Sequence, residues 1–360
     1  MQKKIIVLAI AAALTAPAMA FAEATVYGQF NLAIDMANDG KVPSSSSANQ
    51  MNSYGSRVGV KGGDALNGGI ALDFQLEGGV PANSGGGAFA FDRESNLGLT
   101  IGEMGTVRLG LQASPYKAMS RRLDLFGDTI ADTRNTNIVG TDPAAGPNNG
   151  ARVLGGGHDD SAKNAISYKS PSMGGFTVVA ATMFGAETLP QPVAPANTTK
   201  GSALGLAAMY DQGPIFAMLA IDNKKFGAGL TGALGGTLDA TDNAFKVGGS
   251  YTMDAFAVNA VFENIKTTSP TVEKKNTNLY LGGKFSISST DAVKLAYTKL
   301  GETKVSPGVS PADGITQVAL GYDHGMSKNT SVYALYTKVT QSATNAANPS
   351  VLSFGIKHAF

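Results

Sequence analysis

The sequence has 360 residues, no cysteine, and 28 basic against 27 acidic side chains, a formal net charge of +1. The lack of cysteine excludes disulfide scaffolds, thiol nucleophiles and cysteine-ligated metal sites, and the balanced charge argues against a nucleic-acid-binding protein. A mean hydropathy of +0.01 excludes a bundle of membrane-spanning helices.

The first 22 residues have the pattern of a secretory signal peptide. Lys3 and Lys4 precede a continuous apolar run, 5–13, and small residues occupy the positions just before Glu23. The run is too short for a transmembrane helix and ends before a cleavage pattern. We therefore expect residues 1–22 to be removed and residues 23–360 to form the folded domain.

Segments of about ten residues that alternate apolar and polar side chains fill the rest of the chain. Val107 and Leu109, for example, alternate with Arg108. A period of two places successive side chains on opposite faces of a sheet. The pattern predicts sixteen strands, near 24–35, 53–63, 69–79, 91–102, 106–114, 162–171, 176–187, 202–212, 215–225, 244–253, 256–267, 277–288, 292–304, 315–325, 330–341 and 350–360.

The connections between these segments decide between two folds. Alternation is compatible with a soluble β-sandwich, whose apolar face is the core, and with a membrane barrel, whose apolar face meets lipid. Short turns such as 103–105 and 212–214 alternate with long polar stretches such as 36–52 and 226–243. This layout favours an all-β fold, a transmembrane 16-stranded antiparallel β-barrel with an aqueous lumen.

One connection, about 115–161, is far longer than the others and has no clear strand pattern. Such a length is uncommon in a compact domain unless the loop has a function. It is either a disordered surface insertion or a loop folded into the lumen, and Leu123, Phe126 and Ile130 favour the second because they need a surface to pack on. Its charged residues are then candidates for a pore constriction: Arg121, Arg122, Asp124, Asp128, Asp132 and Arg134.

Alternation also predicts a basic inner wall. Val58 and Val107 belong to the apolar face of their strands, so side chains of the opposite parity point into the lumen. Those side chains are Arg57, Lys61 and Arg108.

The last predicted strand is amphipathic and ends in Phe360. Leu352, Phe354 and Ile356 share its apolar face. An amphipathic final strand ending in Phe is the feature that outer-membrane assembly machinery reads in many bacterial barrels. We therefore expect Phe360 to be a C-terminal assembly signal and the barrel-assembly machinery to be a partner during biogenesis.

Several stretches resemble the general porins of Gram-negative bacteria, of the neisserial and β-proteobacterial type. In chain order they include TVYG at 25–28, SRVGVKG at 56–62, RESNLGL at 93–99, LGYDH at 320–324 and GIKHAF at 355–360. The resemblance implies a homotrimer of 16-stranded barrels, each with its own pore narrowed by the third external loop. It also implies a basic wall facing acidic loop residues and adds Arg93 to that wall. Passive diffusion through a barrel needs no cofactor, and none is expected.

The expected function is passive diffusion of small hydrophilic solutes and ions through a water-filled channel in the outer membrane of a Gram-negative bacterium, surrounded by lipid and with no nucleic-acid partner. A weak anion preference is expected because the basic wall outnumbers the three loop aspartates and loop arginines lie among them. Lys357 is expected to lie too far from the constriction to contribute. The barrels are expected to pack through the last strand and four small residues of the early strands: Gly28, Gly59, Gly98 and Gly110.

Two other functions remain as alternatives, an outer-membrane barrel enzyme and a secreted β-sandwich adhesin. The sequence offers no catalytic motif or metal-binding spacing, since His158, His324 and His358 are far apart. We expect these histidines in turns, loops or interfaces. The neighbouring aspartates at 159–160 are expected to be a solvated loop pair rather than a cation site.

Overall fold

The computed structural model describes residues 24–41, 45–85, 89–134, 158–184, 202–226, 240–307, 314–342 and 347–360. The predicted signal peptide and residues 135–157 of the long connection lie outside these residues.

The described residues form strands almost throughout. In chain order, the strands are β1 Thr25–Asn38, β2 Ser47–Ser53, β3 Arg57–Leu66, β4 Ile70–Gly79, β5 Ser95–Ile101, β6 Thr106–Ala113, β7 Ser161–Lys169, β8 Phe176–Phe184, β9 Ser202–Gln212, β10 Ile215–Phe226, β11 Ala240–Met253, β12 Phe256–Thr268, β13 Glu273–Ser286, β14 Asp291–Leu300, β15 Lys304–Ser306, β16 Ile315–Gly325, β17 Thr330–Gln341 and β18 Ser350–Ala359.

Together the eighteen segments make one closed antiparallel barrel of sixteen strands, because two barrel strands are each built from two segments. This confirms the predicted fold class. β2 and β3 both pair with β1 and form a single barrel strand interrupted at 54–56. β14 and β15 both pair with β13 in the same way. β18 pairs with β1 and closes the sheet. Closure leaves no unpaired edge, as a structure surrounded by lipid requires.

The two faces of the barrel differ as the alternation predicts. On the outside, large apolar side chains such as Ile34, Leu109 and Leu320 are exposed, the last to 52%. On the inside of β1, the polar side chains of Asn31 and Asp35 are 1% and 2% exposed. An outward apolar band and a polar interior are typical of transmembrane barrels. Among the described residues, no helix has the length and apolarity needed to cross a membrane.

Short turns join the strands at one end of the barrel. β9 and β10 are separated by two residues, and Gly213 adopts the left-handed φ of +58° that a turn this tight requires. Asp254 does the same between β11 and β12, with φ +47°. We call this end the short-turn end and the opposite one the long-loop end.

The small residues of the early strands do not form an outer packing surface, contrary to the sequence prediction. Gly59, Gly98 and Gly110 lie opposite Glu77, Arg108 and Asn96 in their ladders, and these side chains face the lumen. The glycines therefore have the same inward parity as Arg57 and Arg108. Only Gly28 lies on the outer face, against the ring of Phe360.

The long connection begins with a helix, α1, Pro115–Arg121, which the sequence analysis did not predict. The Ser114 side chain caps it by accepting a hydrogen bond from the backbone N of Lys117 at 3.1 Å. Pro115 occupies the first helical position, where its missing N–H costs nothing. The Ser-Pro pair is a start signal that could have revealed this helix.

Candidate functional site

Residues 115–134, which we call the inner segment, run along the inside of the barrel wall. Tyr116 Oη donates to Glu263 of β12 at 2.7 Å, and Asn259 of the same strand donates to the carbonyl of Leu123 at 2.8 Å. The backbone N of Leu125 donates to Tyr280 Oη of β13 at 2.9 Å. All three wall side chains are buried and share the inward parity of their strands.

The inner segment continues along the wall towards β1. Lys294 Nζ of β14 donates to the carbonyl of Leu125 at 3.0 Å and lies over the ring of Phe126. Asn31 of β1 donates to the carbonyl of Asp128 at 2.5 Å. The apolar side chains of the segment, Leu123, Phe126 and Ile130, are buried in these contacts, so the segment covers the inner face of strands from β12 round to β1.

The charged side chains of the inner segment pair mainly with one another. Arg121 donates to Asp128 at 2.7 Å and to Asp132 at 2.6 Å, and Arg134 lies 3.1 Å from Asp132. The Asp124 carboxylate accepts hydrogen bonds from the backbone N atoms of Phe126 and Thr133. Four charged residues thus close the segment into a compact unit that presents fixed charges.

The carboxyl groups of the segment have different proton affinities. Burial, together with the neighbouring charge of Asp132, raises the pKa of Asp124 to about 6. Burial also disfavours the ionised forms of Asp128 and Asp132, but Arg121 beside both of them holds each pKa below its usual value. At neutral pH, Asp128 and Asp132 therefore carry full negative charges.

The barrel wall from β3 to β6 carries the predicted basic residues, each beside a carboxylate or an aromatic ring. Arg57 lies 3.2 Å from Asp128 of the segment and 3.6 Å from Glu77 of β4, and Arg93 lies 2.6 Å from Glu77. Farther along, Arg108 lies 2.5 Å from Asp73. The Lys61 ammonium lies 5.0 Å from the ring centroid of Tyr27.

The structure brings most of the predicted site residues into one network and leaves the others outside it. Glu77 and Asp128 connect the wall and the segment, and the network, which we call the charged ring, consists of Arg57, Glu77, Arg93, Arg121, Asp128, Asp132 and Arg134. Arg108 and Lys61 lie on the same wall with other partners. Arg122 pairs with Asp211 at 2.6 Å and stacks over Phe216, and Asp124 faces the interior of the segment.

Sequence reasoning missed two acidic wall residues, Asp73 and Glu77. The signal was present, because both lie at polar positions that alternate with Leu72, Phe74 and Leu76 in β4. Arg93, by contrast, precedes β5, so strand alternation does not govern its direction and only the family resemblance pointed to it.

Lys357 lies closer to the charged ring than the sequence analysis expected. It faces Asn31 across the β1–β18 ladder, and it interacts electrostatically with Asp128 and Arg57. The expectation of a remote position was wrong because it followed distance along the chain, whereas closure of the barrel places β18 beside β1.

The residues outside the charged ring include one further correction. Asp159 is only 2% exposed and lies 3.0 Å from Lys246 Nζ, so it is not the solvated residue that the sequence predicted. His158 is buried beside it, whereas His324 contacts Asp291 near a short turn and His358 contacts Thr330. No cluster of potential metal ligands occurs within the described ranges.

Phe360 completes the closure of the barrel. The backbone N of Gly28 donates to the Phe360 carbonyl at 2.9 Å, and the backbone N of Phe360 donates to the Gly28 carbonyl at 3.1 Å. Its ring stacks on Phe30 on the outer face, with centroids 5.8 Å apart. Phe360 therefore extends the ladder between β1 and β18 by one residue pair.

Comparisons with known proteins agree with this architecture. A family model described as Gram-negative porin matches residues 7–344. The outer membrane porin protein 32 of Delftia acidovorans is 30% identical over 340 residues, covering 92% of this chain and 88% of that protein. The anion-selective porin from Comamonas acidovorans has a similar structure, with a TM-score of 0.74, 23% identity, and coverage of 94% of this chain and 100% of that chain.

A second structural neighbour is the in-vitro folded OmpT of Vibrio cholerae in its trimer form. It has a TM-score of 0.67 and 15% identity, and the match covers 94% of this chain and 99% of that chain. At this identity the likeness shows the barrel fold alone.

Proposed function

The chain belongs to the Gram-negative porin family and forms a water-filled channel for passive diffusion across the outer membrane, and we propose that the charged ring is the narrowest part of this channel. Small hydrophilic solutes and ions cross it down their own gradients. The wall of the barrel carries one side of the ring and the inner segment carries the other.

The observation that supports this proposal is the shared position of Asp128. Its carboxylate lies 3.2 Å from Arg57 of the wall and 2.7 Å from Arg121 of the segment. Asp128 therefore ties the inner segment to the wall residues of β3, which adjoins the strand β1 on which the segment packs. Fixed charges of both signs that line a narrow passage sieve solutes by size and by charge, and they hinder apolar solutes by ordering the water along the passage.

A weak anion preference follows from the charge balance of the ring. Four guanidinium groups, of Arg57, Arg93, Arg121 and Arg134, stand against three carboxylates, of Glu77, Asp128 and Asp132, which leaves one positive charge in excess. Charges held between low-dielectric walls act on passing ions more strongly than charges at an open mouth. The Comamonas acidovorans neighbour, described as anion-selective, gives further support.

Replacing Arg57 by serine should reduce the anion preference. A unit charge about 7 Å from an ion in water contributes about 0.6 kcal/mol, close to RT, so the anion-to-cation permeability ratio should fall about twofold or more at low salt. The measurement is the reversal potential of single channels in a KCl gradient.

Lys169→Ser is the matched control for this experiment. Lys169 is an exposed inward-facing cation at the last position of β7, at the short-turn end of the same wall. Its loss should leave the reversal potential nearly unchanged, because salt screens charges at an open mouth. Equal shifts in the two variants would contradict the assignment of the constriction to the charged ring.

We also propose that three copies of the barrel assemble, as in the neighbour whose trimer form is known. A closed cyclic arrangement gives each copy the same interface. Crosslinking the protein in a mild detergent should yield a species of three chains. A product limited to single chains at every crosslinker concentration would rule out the trimer.

A further inference from the structure

A buried cluster of charged residues joins both ends of the long connection to the barrel wall. From the connection it includes Tyr116 of α1, His158 and Asp159. From the wall it includes residues of β10, β11 and β12. We call it the root cluster, and it consists of Tyr116, His158, Asp159, Asp222, Asp242, Lys246 and Glu263.

Lys246 is the centre of one half of the root cluster. Its side chain is 0% exposed, and Nζ lies 3.0 Å from Asp159 and 3.3 Å from Glu263, which is also fully buried. The ammonium lies 3.9 Å from the ring centroid of Tyr116, whose hydroxyl donates to the same Glu263. One wall cation thus binds residues from both ends of the connection.

His158 is the centre of the other half. Its Nδ1 lies 2.7 Å from Asp222 of β10, and Nε2 lies 3.2 Å from Asp242 of β11, an ion-pair contact that lacks hydrogen-bond alignment. The backbone carbonyl of His158 accepts a hydrogen bond from Ser114 Oγ at 3.2 Å. Ser114 caps α1, so His158 also ties the end of the connection to its beginning.

The protonation state of His158 decides how strongly this half of the root cluster binds the connection to Asp222 and Asp242 of the wall. An imidazolium presents N–H groups to both carboxylates, whereas a neutral ring turns a lone pair towards one of them. Around this half lie Lys224 of β10, 3.6 Å from Asp222, and the Tyr116 ring of α1, 5.7 Å from the imidazole. Asp159 follows His158 in the chain and pairs with Lys246 of β11. Burial works against the charged ring, but Asp222 and Asp242 outweigh it and raise the pKa of His158 above its usual value.

Stability alone is a poor explanation for the root cluster. Burying ion pairs costs desolvation energy that their attraction often only offsets, and apolar residues of similar volume are frequently as stable. Buried charges do, however, specify position, because a displaced partner leaves an unpaired charge in a low-dielectric site.

We propose that the root cluster is a proton-dependent latch that holds the inner segment on the wall, with His158 and Lys246 as its positioning residues. This proposal rests on the proposed function, in which the inner segment narrows the channel. The latch is complete while His158 is protonated. It loosens as the pH rises through the raised pKa of His158, and the segment then moves more freely.

The absence of cysteine allows a direct test with one spin label. Ala118 is exposed on α1 within the inner segment, so Ala118→Cys provides a labelling site that removes no contact of the latch. The labelled full-length protein in lipid bilayers is examined by electron paramagnetic resonance from pH 6.5 to 9. We expect the mobile fraction of the label to increase about twofold over this range, and a constant fraction would overturn the latch.

Two substitutions at His158 separate the imidazole from other titrating groups. His158→Gln retains Asp124, which titrates near pH 6, and should give a mobile label at every pH. His158→Lys carries a charge that persists to pH 9 and should keep the label immobile. His324→Gln is the control, since His324 contacts Asp291 near a short turn, and it should preserve the wild-type pH profile. If the mobile fraction of the label depends on pH in His158→Gln as it does in the protein with His158, the proposal is overturned. If His158→Gln fails to fold, the comparison between His158→Lys and the protein with His158 decides.

Single-channel current noise distinguishes failure of the latch from failure of the proposed function. Noise that increases with pH together with label mobility supports both proposals. Increasing mobility without any change in the current supports the latch and contradicts the assignment of the inner segment as the constriction. If neither changes with pH, the latch is overturned while the reversal-potential experiment still tests the constriction independently.

Discussion

Replacement of Lys246 by methionine is expected to lower the free energy of unfolding by about 3–5 kcal/mol. Lys246 is fully buried between Asp159 and Glu263, and both carboxylates face it within 3.3 Å. Methionine fills a similar volume but leaves two buried negative charges without their cation. The cost therefore comes from the lost counter-charge of the two carboxylates rather than from a cavity.

This expectation is measured by urea unfolding in detergent, monitored by the electrophoretic mobility of the folded barrel. The double variant Lys246→Met with Glu263→Gln should recover part of the loss, because a neutral amide still accepts the Tyr116 hydroxyl and needs no counter-charge. Lys169→Met, an exposed lysine of β7, should change stability by less than about 0.5 kcal/mol. A Lys246→Met barrel as stable as the Lys169→Met barrel would contradict the account.

Deletion of Phe360 is expected to reduce sharply the amount of folded protein in the outer membrane. The deletion removes two backbone hydrogen bonds to Gly28, each worth about 0.5–1.5 kcal/mol, and the ring that packs on Phe30. If Phe360 is in addition the assembly signal that we propose, the loss in cells should exceed what these contacts explain. The comparison is between refolding yield in detergent and the level of folded barrel in isolated outer membranes.

Phe30→Ala provides the matched control. It removes the same ring stacking from the opposite partner but leaves the C-terminal residue and its ladder bonds in place. We expect Phe30→Ala to reach the outer membrane at near wild-type levels, while the deletion variant refolds in detergent but fails to accumulate in cells. Similar losses for both variants would show that Phe360 acts through packing alone.

The strands could be predicted from the sequence because lipid and lumen impose opposite demands on neighbouring residues. β16 and β17 begin and end where the alternation places them, since a short polar turn at 326–329 separates two strongly alternating runs. β2, with the sequence SANQMNS, was not predicted as part of a strand because it has no apolar alternation and forms only by pairing with β1.

The inner segment shows where sequence reasoning reached its limit. Its apolar residues indicated burial. No pattern in the nearby sequence, however, predicts that Tyr116 binds Glu263, which is 147 positions away. The same holds for His158 between Asp222 and Asp242, because those partners come from two different strands. Contacts of this kind depend on the closed barrel, whose register places distant residues on one patch of the inner wall.

The pairing of β1 with β18 means that the barrel closes only when both of these strands are in place. Gly28 and Phe360 lie near opposite ends of the sequence, yet they exchange both backbone hydrogen bonds of a ladder pair. Contacts between such distant positions form slowly, because a long loop must close before they contribute. A barrel without β18 would leave the facing edges of β1 and β17 unpaired, and lipid offers their backbone groups no hydrogen-bond partners. Stable insertion into a lipid bilayer therefore requires the last strand as well as the first.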